Sequence, residues 1–215
     1  MGFLRFDSPL MRFLGKVADL LWVNILCLLC SLPVFTIGAS ITAMQTIFYR
    51  LLHNEDVYVT REFFASFARN FKQATLVWII LLPIMAFLGY DYIALGNDGD
   101  PKAFFLKTVA GILFLIVFVI FLYVFPIISR YENSTKETIK NACIISITHP
   151  VRSVLLLIVF AFSIFVELII SYKLLPLLFA FCVSVPFYFC SMVYMPIFDK
   201  LDGVTPGKPT DVAEE

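Results

Sequence analysis

Apolar residues in this chain come in long unbroken runs, and polar residues gather between them. A helix crossing a bilayer needs about 20 apolar residues at 1.5 Å rise each. Four runs meet that length, at residues 74–95, 103–128, 153–171 and 174–198. Pro83, Pro126, Pro176, Pro186 and Pro196 fall inside them; membrane helices tolerate such prolines and kink at them. A membrane β-barrel would show alternating segments of about ten residues instead.

The first apolar region, 17–52, is too long for one span and short for two. From Leu20 to Tyr49 it holds no Lys, Arg, Asp or Glu, yet "CSLPVFTIGAS" interrupts its centre. Pro33 lacks a backbone N–H and disfavours helix at Leu32. Thr36 has the side chain of an N-cap for a second helix, and Gly38 allows backbones to approach closely. Ala39, Ser40, Ala43 and Thr46 continue a row of small side chains suited to tight helix contacts. The pattern predicts a helical hairpin.

Charge placement gives an independent test, because cytoplasmic loops are enriched in Lys and Arg. A hairpin puts Arg5, Arg12, Lys16, Arg50, Arg61, Arg69, Lys72, Arg130, Lys136, Lys140, Arg152, Lys200 and Lys208 inside, against Lys102, Lys107 and Lys173 outside. A single crossing moves the three amino-terminal cations outside and weakens the bias. Both a full crossing and a re-entrant dip satisfy the hairpin. The expected fold is therefore an all-α polytopic membrane protein of about six segments, with both termini cytoplasmic. The amino-terminal lead, 1–16, is long, contains Asp7 and is followed by no convincing cleavage site, so the first segment is expected to be retained.

Two linkers carry helical patterns of their own. In "VTREFFASFARNFKQ", Phe64, Phe67 and Phe71 share a face with Phe63 beside them. In "NSTKETIKNACIISITHP", Ser134 and Glu137 have capping-box spacing, while Ile139, Cys143 and Ile147 step by four. Two cytoplasmic amphipathic helices are predicted, each running into a span. Residues 1–198 read as one transmembrane domain and 199–215 as a flexible cytoplasmic tail.

Composition agrees: 60% of residues are hydrophobic, 15% are charged and the mean hydropathy is +0.91. Soluble domains carry about 25% charged residues. The lipid bilayer is the expected surrounding, and no basic or aromatic–basic array points to nucleic acid. Cys27 and Cys30 form a C-x-x-C, but no second ligand pair accompanies it, and cysteines in apolar segments behave as small hydrophobes. His53 and His149 are the two histidines, and no hydrolase, metalloprotease or phosphate-loop motif surrounds them. "HNEDVYV" at His53, Glu55 and Asp56 reads as a solvated acidic turn rather than a metal site. The expectation is no catalytic residue, no cofactor and no metal.

Ionisable or amide groups inside spans are default functional candidates. Asn24, Lys107 and Glu167 form the candidate intramembrane polar site. Lys107 and Glu167 fall at similar depth in their segments, which allows an ion pair; a structural pair or an outward-reaching carboxylate is the plainer reading. Asn24 suits a hydrogen bond between helices.

The stretch Trp22 to Ala74 resembles the YesL-like family of bacterial integral membrane proteins, a domain of unknown function. That family shows an Asn in its first span, an S-L-P-x-x-T-x-G turn and an F-x-x-F-x-x-N-F segment. Here they fall on Asn24; on Ser31, Leu32, Pro33, Thr36 and Gly38; and on Phe64, Phe67, Asn70 and Phe71. The family often has a proline soon after the T-x-G, where this chain has Ala39 and Ser40. The resemblance implies an accessory or regulatory protein of the bacterial cytoplasmic membrane, linked to carbohydrate uptake, with a carbohydrate importer or a sensor kinase as partner. A small transporter or channel for a polar solute, as a homo-oligomer, is the alternative expectation.

Overall fold

The computed structural model describes residues 9–94, 101–171 and 183–203. Among them the chain forms seven α-helices and one 3-10 turn, with no strand. The elements are α1 (Pro9–Cys30), the 3-10 turn (Val34–Thr36), α2 (Ile37–Leu52), α3 (Val59–Ala94), α4 (Pro101–Arg130), α5 (Thr135–Thr148), α6 (Pro150–Ser171) and α7 (Ser184–Leu201). Three of them, α3, α4 and α6, are long and apolar enough to cross a membrane.

The hairpin forms where the sequence breaks. The Thr36 hydroxyl is shared between the carbonyls of Cys30 at 2.5 Å and Pro33 at 2.6 Å. The Trp78 indole N–H reaches from α3 to the Val34 carbonyl at 2.7 Å. Carbonyls left over at a helix end in lipid cost several kcal/mol each, so these bonds let the turn sit among apolar side chains. Thr36 therefore works backwards, towards the end of α1. It occupies the N-cap position of α2, but its side chain makes no capping bond there. The expected N-cap is in fact a C-terminal seal.

Gly38 sets the next contact. A Cβ on it would stand 2.5 Å from the Ala74 carbonyl oxygen and 2.7 Å from the Trp78 Cβ. From that crossing α2 runs antiparallel to α3 without a slip. Thr46 Oγ1 lies 2.7 Å from Ser66 Oγ, and Arg50 donates to Glu62 at 2.7 Å. At 16 residues, α2 is about 24 Å long. It lies along the first half of α3, and the hairpin tip stops beside Trp78.

The amphipathic stretch before the second hairpin is not a separate helix. It continues into the apolar stretch as one helix of 36 residues, about 54 Å. Its buried stripe is Phe63, Ser66, Asn70, Ala74, Val77, Trp78 and Leu81. This corrects the expected face: Phe67 and Phe71 are half-buried, but Phe64 is 48% exposed. Phe63 is the one phenylalanine in the buried stripe, which otherwise holds small and polar residues beside Val77, Trp78 and Leu81.

The other predicted linker helix is α5, and its capping box is present. The Ser134 hydroxyl accepts from the Glu137 N–H at 3.4 Å, while the Glu137 carboxylate accepts the Ser134 N–H at 3.0 Å. The Ser134 N–H, joined by the Ser134 hydroxyl donating to the same carboxylate oxygen at 2.8 Å, holds the Glu137 carboxyl below its ordinary range. The buried residues of α5 are Thr138 and Ala142; Ile147, expected on its apolar stripe, is exposed. Gln73 of α3 donates to the Asn133 carbonyl and the Thr138 hydroxyl, both at 2.9 Å, fixing α5 to the bundle.

The final span was expected to start at residue 174; its first residues lie outside the described ones, and α7 is seen from Ser184. The tail boundary moves as well. Asp199 is buried inside α7, which continues to Leu201, and residues 204–215 lie outside the described residues.

Candidate functional site: a polar seam between α2 and α7

Lipid chains are as apolar as leucine, so a buried polar group in such a bundle must find its partner on another helix. Asn24, Ser40, Thr42, Gln45, Ser184 and Ser191 are all at most 2% exposed. Ser40 and Thr42 donate back to the carbonyls of Thr36 and Gly38 in their own helix. The others line a seam along which α1, α2 and α7 meet.

At the turn end, the Asn24 carbonyl oxygen accepts the N–H groups of Val183 at 3.1 Å and Ser184 at 3.0 Å. It thus caps the first turn of α7 from a different helix, satisfying donors that a helix start leaves open. Midway, the Gln45 side-chain oxygen accepts from the Tyr194 hydroxyl and, at 3.0 Å, from Ser191 Oγ. Ser191 Oγ also lies 2.7 Å from the Tyr194 oxygen and 2.8 Å from the Phe187 carbonyl.

The seam ends in an ionic clasp where α2, α4 and α7 finish. Arg130 Nε donates to Asp202 at 2.7 Å and its Nη2 to Asp199 at 3.0 Å. The guanidinium lies over the Tyr49 ring, 4.3 Å from its centre. His53 Nε2 is 3.4 Å from the same Asp199 oxygen, and its Nδ1 is 2.8 Å from the Tyr49 carbonyl. Tyr131 donates its hydroxyl to Asp202 at 2.7 Å; burial, together with that bond to a carboxylate, pushes its phenol well above the ordinary range. The Arg130 and Asp199 side chains are 12% and 10% exposed, so this is a buried charge cluster. It ties three helix ends together.

The sequence candidates fall in separate places. Asn24 belongs to the seam. Lys107 sits in an open groove of about 810 Å³ between the far ends of α3 and α4, its Nζ 5.0 Å from the centre of the Tyr92 ring. Glu167 is half-buried on α6. The ion pairs seen among the described residues centre on Arg50 and Arg130. The contact of α4 with α6 is made nearer the clasp, where Phe118 and Phe160 stand 5.2 Å apart. Asn70 points its amide at Ser66 Oγ, 3.2 Å away, within the α2–α3 contact. Ser31 continues the end of α1 through its N–H bond to Cys27, and Leu32 is exposed at the tip. Among the described residues no group of three or more His, Cys, Asp or Glu could hold a metal ion. Glu55 of the acidic turn lies 3.7 Å from Arg50.

Gln45, Arg130, Ser191, Tyr194 and Asp199 were missed in the sequence. Gln45 was open to detection, since it and Asn24 are the two amides in the charge-free stretch 20–49. Ser184 and Ser191 are seven residues apart, two helical turns, and so share a face.

The family described as "Protein of unknown function, DUF624" matches residues 20–92, about a third of the chain. The matched residues are the second half of α1, the turn, α2 and nearly all of α3, the unit whose contacts are set by Gly38 and Trp78. Neither a curated protein nor a solved structure matches the chain.

Proposed function

We propose that the chain is a non-enzymatic accessory or regulatory protein of the bacterial cytoplasmic membrane, with the clasp and both termini on the cytoplasmic side. The observation that carries this reading is the closed seam. α2 has no exposed residue, and the Gln45 side-chain oxygen at its middle is taken up by Ser191 and Tyr194 of α7. Such a core is built to hold shape. A link to carbohydrate uptake, with an importer subunit or a sensor kinase as partner, rests on the resemblance to the YesL-like family alone.

Within this reading the hairpin enters the bilayer without crossing it. Its tip ends beside Trp78, and residues 79–94 of α3 continue beyond it for about 24 Å. Single cysteines placed at Val34 and Val57 test this. Val34→Cys is expected to resist impermeant thiol reagents from both sides, and Val57→Cys to react from the cytoplasmic side only. Reaction of Val34→Cys from outside would mean a full crossing.

A second reading is favoured by the groove at Lys107. Its lining is mostly apolar, with Lys107 and Thr108 among its polar groups, and a second copy closing it would enclose them as in a small oligomeric transporter. Purification from native membranes separates the two. Stoichiometric recovery of an importer subunit or kinase supports the accessory role. An isolated homo-oligomer that moves solute in proteoliposomes, with flux lost in Lys107→Met, would replace it.

A further inference from the structure

We propose that a single water molecule is a resident ligand of Gln45, held in a small cavity between α2, α4 and α7, where it joins the seam to the clasp. The cavity measures about 10 Å³ and is lined by Gln45, Tyr49, Ser129, Arg130 and Tyr194 among others. That is the lower limit of space for one water.

Gln45 is 2% exposed, and its amide nitrogen has no hydrogen-bond partner in the protein. An unmet buried donor costs about 1–3 kcal/mol. Turning the amide over does not remove the problem. The nitrogen would then donate to the Tyr194 and Ser191 oxygens, and the amide oxygen would be left over. In either orientation one polar atom of Gln45 stays open at the cavity.

The chemistry of the lining selects water over an ion. Arg130 is already committed to Asp199, Asp202 and the Tyr49 oxygen, so it offers little to an anion. Tyr49 accepts from Arg130 at 3.4 Å and keeps its own hydroxyl proton to give. Ser129 donates to the Pro126 carbonyl at 2.8 Å and keeps oxygen lone pairs to receive. A water can take a proton from Gln45 or Tyr49 and return one to Ser129, reaching the two to four partners typical of buried waters. An anion would find no use for the Ser129 lone pairs, and a cation would stand beside the guanidinium. The water completes a hydrogen-bonded line from His53 through Asp199, Arg130 and Tyr49 to Gln45, Tyr194 and Ser191.

A map of the full chain in lipid nanodiscs at about 2 Å or better tests the proposal. The expected result is one density peak at hydrogen-bonding distance, about 3 Å, from the Gln45 amide and from Tyr49 Oη or Ser129 Oγ. In Gln45→Leu that peak is expected to be lost while the helices keep their positions. The proposal is overturned by no density with both Gln45 polar atoms engaged by protein groups. It is also overturned by a peak that is lost when chloride is removed from the buffer, which would make the ligand a halide, or by a peak that persists in Gln45→Leu. If that variant does not fold, the wild-type map alone still decides.

Discussion

The two ends of the bundle are built from similarly apolar sequence and do opposite things with it. Around the clasp, eight consecutive residues of α4, from Phe121 to Ile128, are buried, as is nearly all of α2. Towards the far end, Ile79, Ile80, Leu82, Ile84 and Phe87 of α3 and Leu106, Ile112, Leu113, Leu115 and Ile116 of α4 face outward. Hydrophobicity does not distinguish these ends, because lipid buries a leucine as well as protein does. Glycine, small residues and hydrogen-bonding side chains do. They concentrate where helices must touch, at Gly38, Thr46, Ser66 and Asn70, and along the seam at Gln45 and Ser191.

The largest test of this contrast is a single methyl-bearing substitution on each side. Gly38→Val puts atoms within 3 Å of the Ala74 backbone, which cannot step aside. The expected loss is about 3 kcal/mol, the upper range for overpacking, or failure to give a monodisperse protein in detergent. Gly89→Ala, facing only Phe114 at 3.8 Å, is expected to stay within about 0.5 kcal/mol. Equal losses in thermal unfolding would end the distinction between the two ends.

Next in size is a pair of cations, one nearly covered and one in an open groove. Arg130→Ala strands Asp199 in a site where both side chains are nearly covered; about 3 kcal/mol is expected, the low end for breaking a buried pair. At the far end, Lys107→Met removes a cation resting on Tyr92, a contact worth about 0.5–1 kcal/mol. Denaturant titration in one detergent compares them directly. A Lys107 variant as damaging as the Arg130 variant would make the far end a structural core too.

Trp78→Phe is smaller and sharper. It keeps an aromatic ring against α2 but deletes the donor to the Val34 carbonyl, at a cost of about 1–2 kcal/mol. Proteolysis at the turn is expected to rise several-fold, whereas Phe87→Leu, on the lipid side, leaves it unchanged.

The same contrast explains what was legible in the sequence. The hairpin could be read because Pro33 breaks the helix through local geometry, and the α5 cap because Ser134 and Glu137 bond three residues apart. The face of α3 could not: Phe63 and Phe64 are equally apolar, and which one is buried depends on where α2 lies. The clasp was hidden for a related reason. Arg130 and Asp199 are 69 residues apart, and each looked like an ordinary charge at the end of a segment. Only packing brings them together, and only packing moves Asp199 out of the supposed tail.

The smallest expected effect lies on the surface of the clasp end, where α5 begins. The Glu137 carboxylate is stabilised by the backbone and hydroxyl of Ser134, which lowers its proton affinity in the folded state. A carboxyl depressed on folding contributes stability that is fully present above its unfolded value. That contribution is lost as pH falls through the depressed folded value. Acidification is therefore expected to loosen the first turn of α5 before the seam responds, seen as faster amide exchange at residues 135–138 relative to residues 142–146 of the same helix. Glu137→Gln keeps a side chain able to accept the Ser134 N–H and has no proton to gain. In that variant the ratio of the two exchange rates should hold steady across the same pH range. If the wild-type ratio is equally steady, the cap owes its stability to packing through Gln73 rather than to the carboxylate, and the clasp end is held together by buried contacts alone.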